Sequence, residues 1–295
     1  MARFPRIPDL LTTANLACGV GSILLASQGQ LTLACWLVFA GALFDVFDGL
    51  AARALGGGTP LGTQLDSLAD MVTFGVAPGM LVWSWAIPAV EMEQMLAGAV
   101  HLLSTGLPDA TAYSHTTSGH TSGYWIVLIA VLLIPIASAW RLAKFNIDTR
   151  QTSGFLGLPT PANALFWTSV VLATSGIHDF IHMDWPINIG NSNQPVDPSF
   201  RIDPELFYRF LTLLPYALLG LSVALGALML SELPLPSLKF KHFKWKGNEV
   251  MFLLLGIGLV LVLLYGMLAV PLILVLYLLS PLWGRVFGKV EPSVK

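Results

Sequence analysis

LTLACWLVFAGALFDVFDGLAARALGGGTPLGTQLDSLADMVTFGVAPGMLVWSWAIPAV, residues Leu31 to Val90, is apolar at both ends and charged in the middle. No charged residue occurs from Leu31 to Phe44, and none from Met71 to Val90. A membrane-crossing helix needs about 20 such residues, at about 1.5 Å rise each, to span a hydrocarbon core near 30 Å. Between the two runs lie Asp45, Asp48, Arg53, Asp66 and Asp70, divided by Gly56-Gly57-Gly58-Thr59-Pro60. Glycine ends one helix there and proline opens the next. The stretch therefore reads as an antiparallel helical hairpin with its acidic ends together at one membrane face.

The same reading extends along the chain. Spans are expected over roughly 10–28, 31–55, 71–90 and 124–140, the last running to about Lys144, then 162–177 after Pro159 and Pro161, and 210–231. Val250 to Gly284 carries no charge; as one helix it would measure about 52 Å, so it should fold back near Gly266 to Pro271. The expected fold is an all-α integral membrane protein of eight transmembrane helices. It divides into a six-helix catalytic membrane domain (1–231), a basic cytoplasmic loop (232–249) and a two-helix hairpin with tail (250–295).

Composition agrees. Only 11% of the 295 residues are charged and 55% are hydrophobic, with a mean hydropathy of +0.72. A soluble domain carries about 25% charged residues, so lipid is the expected solvent. Cys18 and Cys35 sit in apolar runs and read as small buried hydrophobes, not a disulfide scaffold. The apolar stretch near the N-terminus exceeds a signal-peptide core of roughly 7–15 residues and reads as a retained first helix.

Charge placement orients the helices. With an inner N-terminus, Arg3, Arg6, Arg53, Arg141, Lys144, Arg150, Lys239, Lys241, Lys244, Lys246, Arg285, Lys289 and Lys295 fall on the cytoplasmic side. Arg201 and Arg209 alone fall outside, as the positive-inside rule requires. Two polar segments, about 91–122 and 179–208, are then outer loops, and both termini are cytoplasmic.

Ionisable residues at membrane helix ends are costly and point to function. Asp45 and Asp48 are three apart, and Asp66 and Asp70 four apart, so each pair shares a helical face. Four carboxylates converging at low dielectric repel one another, and a hard divalent cation relieves that conflict; Mg²⁺ prefers oxygen ligands and substrate phosphates. Two such ions can clamp the attacking and leaving oxygens of a phosphoryl displacement. Gly49, Ala52 and Gly62 admit a close backbone approach, and Arg53 offers a fork for phosphate. The plainer alternative is interfacial charge with Gly and Ala serving helix packing; the joint spacing of four Asp argues against it.

Asp45-x-x-Asp48-Gly49-x-x-Ala52-Arg53, eight residues, then Gly62-x-x-x-Asp66-x-x-x-Asp70 resembles the signature of the CDP-alcohol phosphotransferase family without a departure. The resemblance implies a six-helix core and two divalent cations, Mg²⁺ or Mn²⁺, held by Asp45, Asp48, Asp66 and Asp70 against a CDP diphosphate. It further implies Asp70 as the base that deprotonates the alcohol, with Gly49, Ala52, Arg53 and Gly62 shaping the CDP pocket.

Ile7-Pro8-Asp9 through Asn15 and Gly19, Arg141-Leu-Ala-Lys144-Phe-Asn146, and Gly157-Leu-Pro159-Thr-Pro161-Ala-Asn163 are similar to bacterial phosphatidylserine synthases. So is the hairpin after a Lys-rich loop. Asp9 departs from the Asn usual there. This resemblance implies CDP-diacylglycerol and L-serine as substrates, a bacterial inner-membrane location with a cytoplasmic active site, and a homodimer as one available state. Glycerol phosphate, inositol and choline stay open as other acceptors. A serine carboxylate needs a cation, and Arg141 can supply a bidentate one. Arg141 and Lys144 could equally be positive-inside anchors, and Asn146 is a weaker acceptor-site candidate.

Lys239 to Lys246 interleaves basic and aromatic residues, suiting membrane lipid head groups or a simple interfacial anchor rather than nucleic acid. His178 and His182, near Asp179 and Asp184, could hold zinc but belong to the outer side, away from the aspartates. A membrane prenyltransferase would place its two acidic motifs in separate halves of the chain; here both lie within the 26 residues from Asp45 to Asp70. An ion transporter would favour a mid-bilayer carboxylate and symmetry between halves, and the sequence has neither.

Overall fold

Pro8 in the first turn and a cap from Asp9 start α1 (Ile7–Ser27): the backbone N–H of Arg6 donates to Asp9 Oδ2 at 3.0 Å. The computed structural model describes residues 6–57, 59–105, 122–147, 155–182, 204–235, 249–266 and 269–286. A turn with Gly29 at φ +76° leads into α2 (Leu31–Ala54), where only glycine is at ease in the left-handed region. Across the glycine turn, Thr59 Oγ1 accepts the Gly62 N–H at 2.9 Å and Pro60 opens α3 (Pro60–Asp70). The turn brings the carboxylates of α2 and α3 together as the sequence suggests, with α1 packed against both helices.

Beyond Asp70 the chain does not turn. A π-helical turn (Met71–Val76) joins α3 directly to α4 (Ala77–Thr105). The third span was expected at 71–90 and the segment from 91 as loop; the helix instead continues to Thr105. Glu91 and Glu93 do not end the helix, because Glu, Met, Gln, Leu and Ala in 91–98 are all good helix formers. The candidate span Pro60–Gly98 has 39 residues, roughly 58 Å, about twice a hydrocarbon core. Its ends must therefore protrude, carrying Asp66 toward the membrane boundary.

The remaining elements are α5 (Ser122–Ile147), β1 (Phe155–Leu156), α6 (Thr160–His182), α7 (Pro204–Leu230), β2 (Pro234–Leu235), α8 (Glu249–Tyr265) and α9 (Ala269–Val286). α6 and α7 likewise extend into the 179–208 segment read as loop. Gly266, at φ +57°, follows α8 at the expected turn of the last hairpin. Among the described residues five helices are long and apolar enough to cross a membrane: α1, α2, the Pro60–Gly98 rod, α5 and α7. The chain is a multi-pass, helical membrane protein. The basic run Lys239–Lys246 lies outside the described residues, as do the side chains of His178 and His182.

α4 is central, packing on α1, α5, α6 and α7. Phe74, Leu81, Trp85, Val127, Ile134, Trp167, Val171, Leu211 and Met229 fill the core between them. Leu24, Trp36, Leu43, Trp140 and Leu213 instead face outward, as lipid-facing positions do when the backbone is satisfied within each helix.

One small sheet matters for the site. β1 pairs antiparallel with β2, Phe155 opposite Leu235 and Leu156 opposite Pro234. The ladder continues as Gly157 N–H donates to Leu233 O and Leu158 N–H to Leu228 O, each at 3.0 Å. This fastens the entry of α6 onto the end of α7 and answers carbonyls that the helix terminus leaves free. Gly157, at φ +73°, is obligatory there: a Cβ would lie 2.6 Å from Ser231 O and 2.7 Å from Met229 O.

Candidate active site

α2 carries Asp45 and Asp48 in its C-terminal half and α3 brings Asp66 and Asp70 across from them. Carboxylate oxygens of Asp45, Asp48 and Asp66 all lie within 4.8 Å of one another. Asp70 is against Asp45, close enough for their carboxyls to interact directly. The convergence expected from the spacing is thus present. Asp48 is buried; the other three are partly exposed. A trio of hard oxygen donors at this separation, in a partly desolvated cleft, suits a divalent cation of the Mg²⁺ type. Without a cation, the packed like charges would destabilise the hairpin that holds them.

Two α1 residues, to which the sequence reading gave no role, complete the cluster. Thr12 Oγ1 donates to Asp48 Oδ2 at 2.7 Å, and Asn15 Nδ2 donates to Asp70 Oδ1 at 3.3 Å. Both are buried. The signal was available: Thr12, Asn15, Gly19, Ser22 and Ala26 recur every three or four residues and form the buried face of α1. A polar or small stripe in an otherwise apolar membrane helix marks the side that meets protein.

The π turn sets the distance between α1 and Asp70. Thr73 Oγ1 donates to the Asn15 carbonyl at 3.0 Å. Thr73 is wedged between Gly19 and Gly41: a Cβ on Gly19 would stand 2.8 Å from Thr73 Cα, and one on Gly41 2.6 Å from Thr73 Cγ2. Irregular turns of this kind often occur at functional sites; this one immediately follows Asp70 in the chain.

The glycine and arginine positions divide. Arg53 is exposed and its guanidinium folds back over Gly49, 3.8 Å from where a Cβ would sit. Ala52 is half-buried on the same helix. Gly62 faces α1, not only open space: a Cβ there would come 2.9 Å from Asp9 Oδ1 and 3.1 Å from Thr59 Oγ1. Its missing side chain lets the start of α1 approach α3.

The three α5 positions point in different directions. Arg141 is buried, its Nε donating to Leu158 O at 3.1 Å and its guanidinium resting 5.2 Å from the centroid of the Phe145 ring. Asp70 and Tyr277 are both within its electrostatic reach. Lys144 turns away to the end of α7, donating to Leu230 O at 3.4 Å and pairing with Glu232 at 3.6 Å. Asn146 Nδ2 donates to Ser67 Oγ at 3.0 Å, linking α5 to α3 at the surface. Of the three, only Arg141 is buried beside the acidic cluster.

This geometry is matched by kinship. A chain from Helicobacter pylori named CDP-diacylglycerol–serine O-phosphatidyltransferase is 30% identical over 286 residues, 96% of this chain and 92% of that one. The Bacillus subtilis protein of the same name is 32% identical over 155 residues, 52% of this chain and 69% of its own. An archaetidylserine synthase from Methanothermobacter thermautotrophicus is 33% identical over 171 residues, 57% of this chain and 59% of its own. Residues 6–175 match the model of the CDP-alcohol phosphatidyltransferases, a span that takes in α1, the whole acidic hairpin, Arg141 and most of α6. An enzyme of the CDP-alcohol phosphatidyltransferase family is what this chain is.

Proposed function

We propose that the protein transfers the phosphatidyl group of CDP-diacylglycerol to L-serine, releasing CMP. The observation that carries the reading is the cluster of Asp45, Asp48 and Asp66 oxygens within 4.8 Å, with Asp70 alongside. The serine hydroxyl oxygen attacks the lipid-bearing phosphorus, the bond from that phosphorus to the CMP oxygen breaks, and the hydroxyl proton passes to Asp70. Asp45, Asp48, Asp66 and Asp70 line a site for two divalent cations, Mg²⁺ or Mn²⁺, whose chemistry is to neutralise diphosphate charge as the bond breaks. Arg53, with Gly49, Ala52 and Gly62 leaving room, meets the CDP moiety. Arg141 receives the serine carboxylate. Lys144 and Asn146 are already engaged with Glu232 and Ser67, so they shape the α5 end that presents Arg141.

The topology that supports this reading has eight transmembrane helices, both termini and the acidic cluster on the cytoplasmic side of a bacterial inner membrane. Residues 1–231 form the catalytic unit, 232–249 the basic loop and 250–295 the final hairpin. An introduced cysteine at position 191 should react with an impermeant maleimide in intact cells, and one at 244 only after lysis. The reverse pattern would move the aspartates to the other face.

The activity is tested by supplying purified protein with CDP-diacylglycerol, Mg²⁺ or Mn²⁺, and one acceptor at a time. CMP release should depend on L-serine and yield phosphatidylserine. Release driven by glycerol 3-phosphate, inositol or choline, with serine inert, would keep the family chemistry and replace the acceptor.

A further inference from the structure

We propose that the first turn of α6, through Thr160 and Asn163, works with Arg141 as a clamp for the ammonium and carboxylate groups of an α-amino acid acceptor. The inference rests on the serine reading above and adds Thr160 and Asn163, which that reading does not use.

Three side-chain atoms lead to it. Arg141 spends Nε on the Leu158 carbonyl, yet its Nη2 is buried without a hydrogen-bond partner among the described residues. Thr160 is 0% exposed and Asn163 2%, and their Oγ1 and Oδ1 atoms are buried and unpartnered in the same sense. Buried polar atoms are normally paired, so each such exception needs a reason. Serine and threonine hydroxyls in membrane helices commonly satisfy themselves on the preceding turn, as Ser138 does on Ile134 O at 2.9 Å. Thr160, as the first residue of α6, has no preceding helical turn to use.

One hydrogen bond ties the Arg141 guanidinium to the entry of α6. The bond from Arg141 to Leu158 anchors the guanidinium two residues before Thr160, and Thr160 and Asn163 are three apart on one helical face. The Gly157–Leu158 ladder onto α7 holds that anchor in place. A helix start also leaves backbone N–H groups without intrahelical acceptors and carries a partial positive charge. Pro161 contributes no N–H, which leaves the side chains of Thr160 and Arg141 as donors beside those of the backbone.

The donor and acceptor set has the pattern of an amino acid zwitterion. The carboxylate accepts from Arg141 Nη2, the Thr160 hydroxyl and the start of α6. The ammonium donates to Asn163 Oδ1. The side-chain hydroxyl of the acceptor is then left for Asp70, a carboxylate within electrostatic reach of Arg141. Ethanolamine, lacking the carboxylate, and 3-hydroxypropanoate, lacking the ammonium, each match half of the set.

The test pairs trimmed acceptors with trimmed residues in the full-length, detergent-purified protein, scoring CMP release with CDP-diacylglycerol and Mg²⁺ or Mn²⁺. Arg141→Lys and Thr160→Val should raise the KM for L-serine, while Thr160→Ser stays near wild type. Loss of a hydrogen bond to a charged group predicts an effect of roughly 10–150-fold for Arg141→Lys. Asn163→Ala should do likewise for serine yet leave 3-hydroxypropanoate unaffected, because that acceptor has no ammonium to lose. Arg141→Lys and Thr160→Val should correspondingly spare ethanolamine. CDP binding in the presence of Mg²⁺, measured by titration, should be unchanged in every variant. Because Thr160 Oγ1 has no partner among the described residues, Thr160→Val should also fold normally, so its result stands even if another variant is unstable. Unchanged serine KM in Thr160→Val and Asn163→Ala, with wild type serine-dependent, overturns the clamp. A wild type that ignores serine and uses a different alcohol overturns the serine reading itself.

Discussion

Asp70→Asn should lower turnover by about 10²–10⁴-fold while leaving CDP-diacylglycerol binding close to wild type, the range expected when a general base is removed. The substitution preserves the shape of the side chain and its place beside Asn15, whose Nδ2 reaches Asp70 Oδ1 at 3.3 Å. What it removes is the ability to take the serine proton. Asp45, Asp48 and Asp66 remain clustered, so the metal and diphosphate site should survive. The position of Asp70 supports this division of labour. It lies at the junction of α3 and the π turn, beside Asp45 and within electrostatic reach of Arg141. It can therefore share the acidic site and also reach an alcohol held near α5 and α6. The measurement is kcat beside CDP-diacylglycerol affinity. Near wild-type kcat, or a loss of lipid binding as severe as that of Asp45→Asn, would remove Asp70 from the role of base.

The acidic hairpin was legible in the sequence because its information is local. Spacing of three and four places each Asp pair on one face, and a glycine-proline turn allows the faces to meet; both follow from helix geometry. Helix ends were less legible. The loss of apolar character after Val90 suggests a loop, yet the helix runs on to Thr105, because hydropathy and helix propensity are separate signals. The roles of Thr12, Asn15, Thr73, Thr160 and Asn163 depend on which helices pack together, and a single apolar span does not disclose its neighbours. Even so, the stripe from Thr12 to Ala26 declared which face of α1 is buried. Arg141 and Lys144 illustrate the limit: three residues apart on one helix, with equal claims by charge, they part because Arg141 meets the α6 entry and Lys144 the α7 end.

Chelation should abolish activity outright, and restoring Mg²⁺ or Mn²⁺ should recover it. The variants of the carboxylate cluster should then fall in a definite order. Asp45→Asn removes a charged oxygen from the trio and should raise the metal concentration needed for half-maximal activity by more than about 100-fold, weakening CDP-diacylglycerol binding with it. Thr12→Val keeps all four aspartates but removes the donor that holds Asp48 Oδ2 at 2.7 Å. Loss of such an outer partner typically costs about 10–100-fold in metal affinity, so its activity should return at high metal. A purely structural role for Thr12 predicts a different result: lower thermal stability with an unchanged metal requirement. The measurement is a metal titration of CMP release in wild type, Thr12→Val and Asp45→Asn, with melting temperature recorded beside it. One metal requirement shared by all three proteins would place the cation away from Asp45 and Asp48, and full activity after exhaustive chelation would mean that the aspartates act on the diphosphate without a cation. Four carboxylates facing a dianion would then have to be reconciled by proton uptake alone, and the pH profile of the chelated enzyme would have to show it.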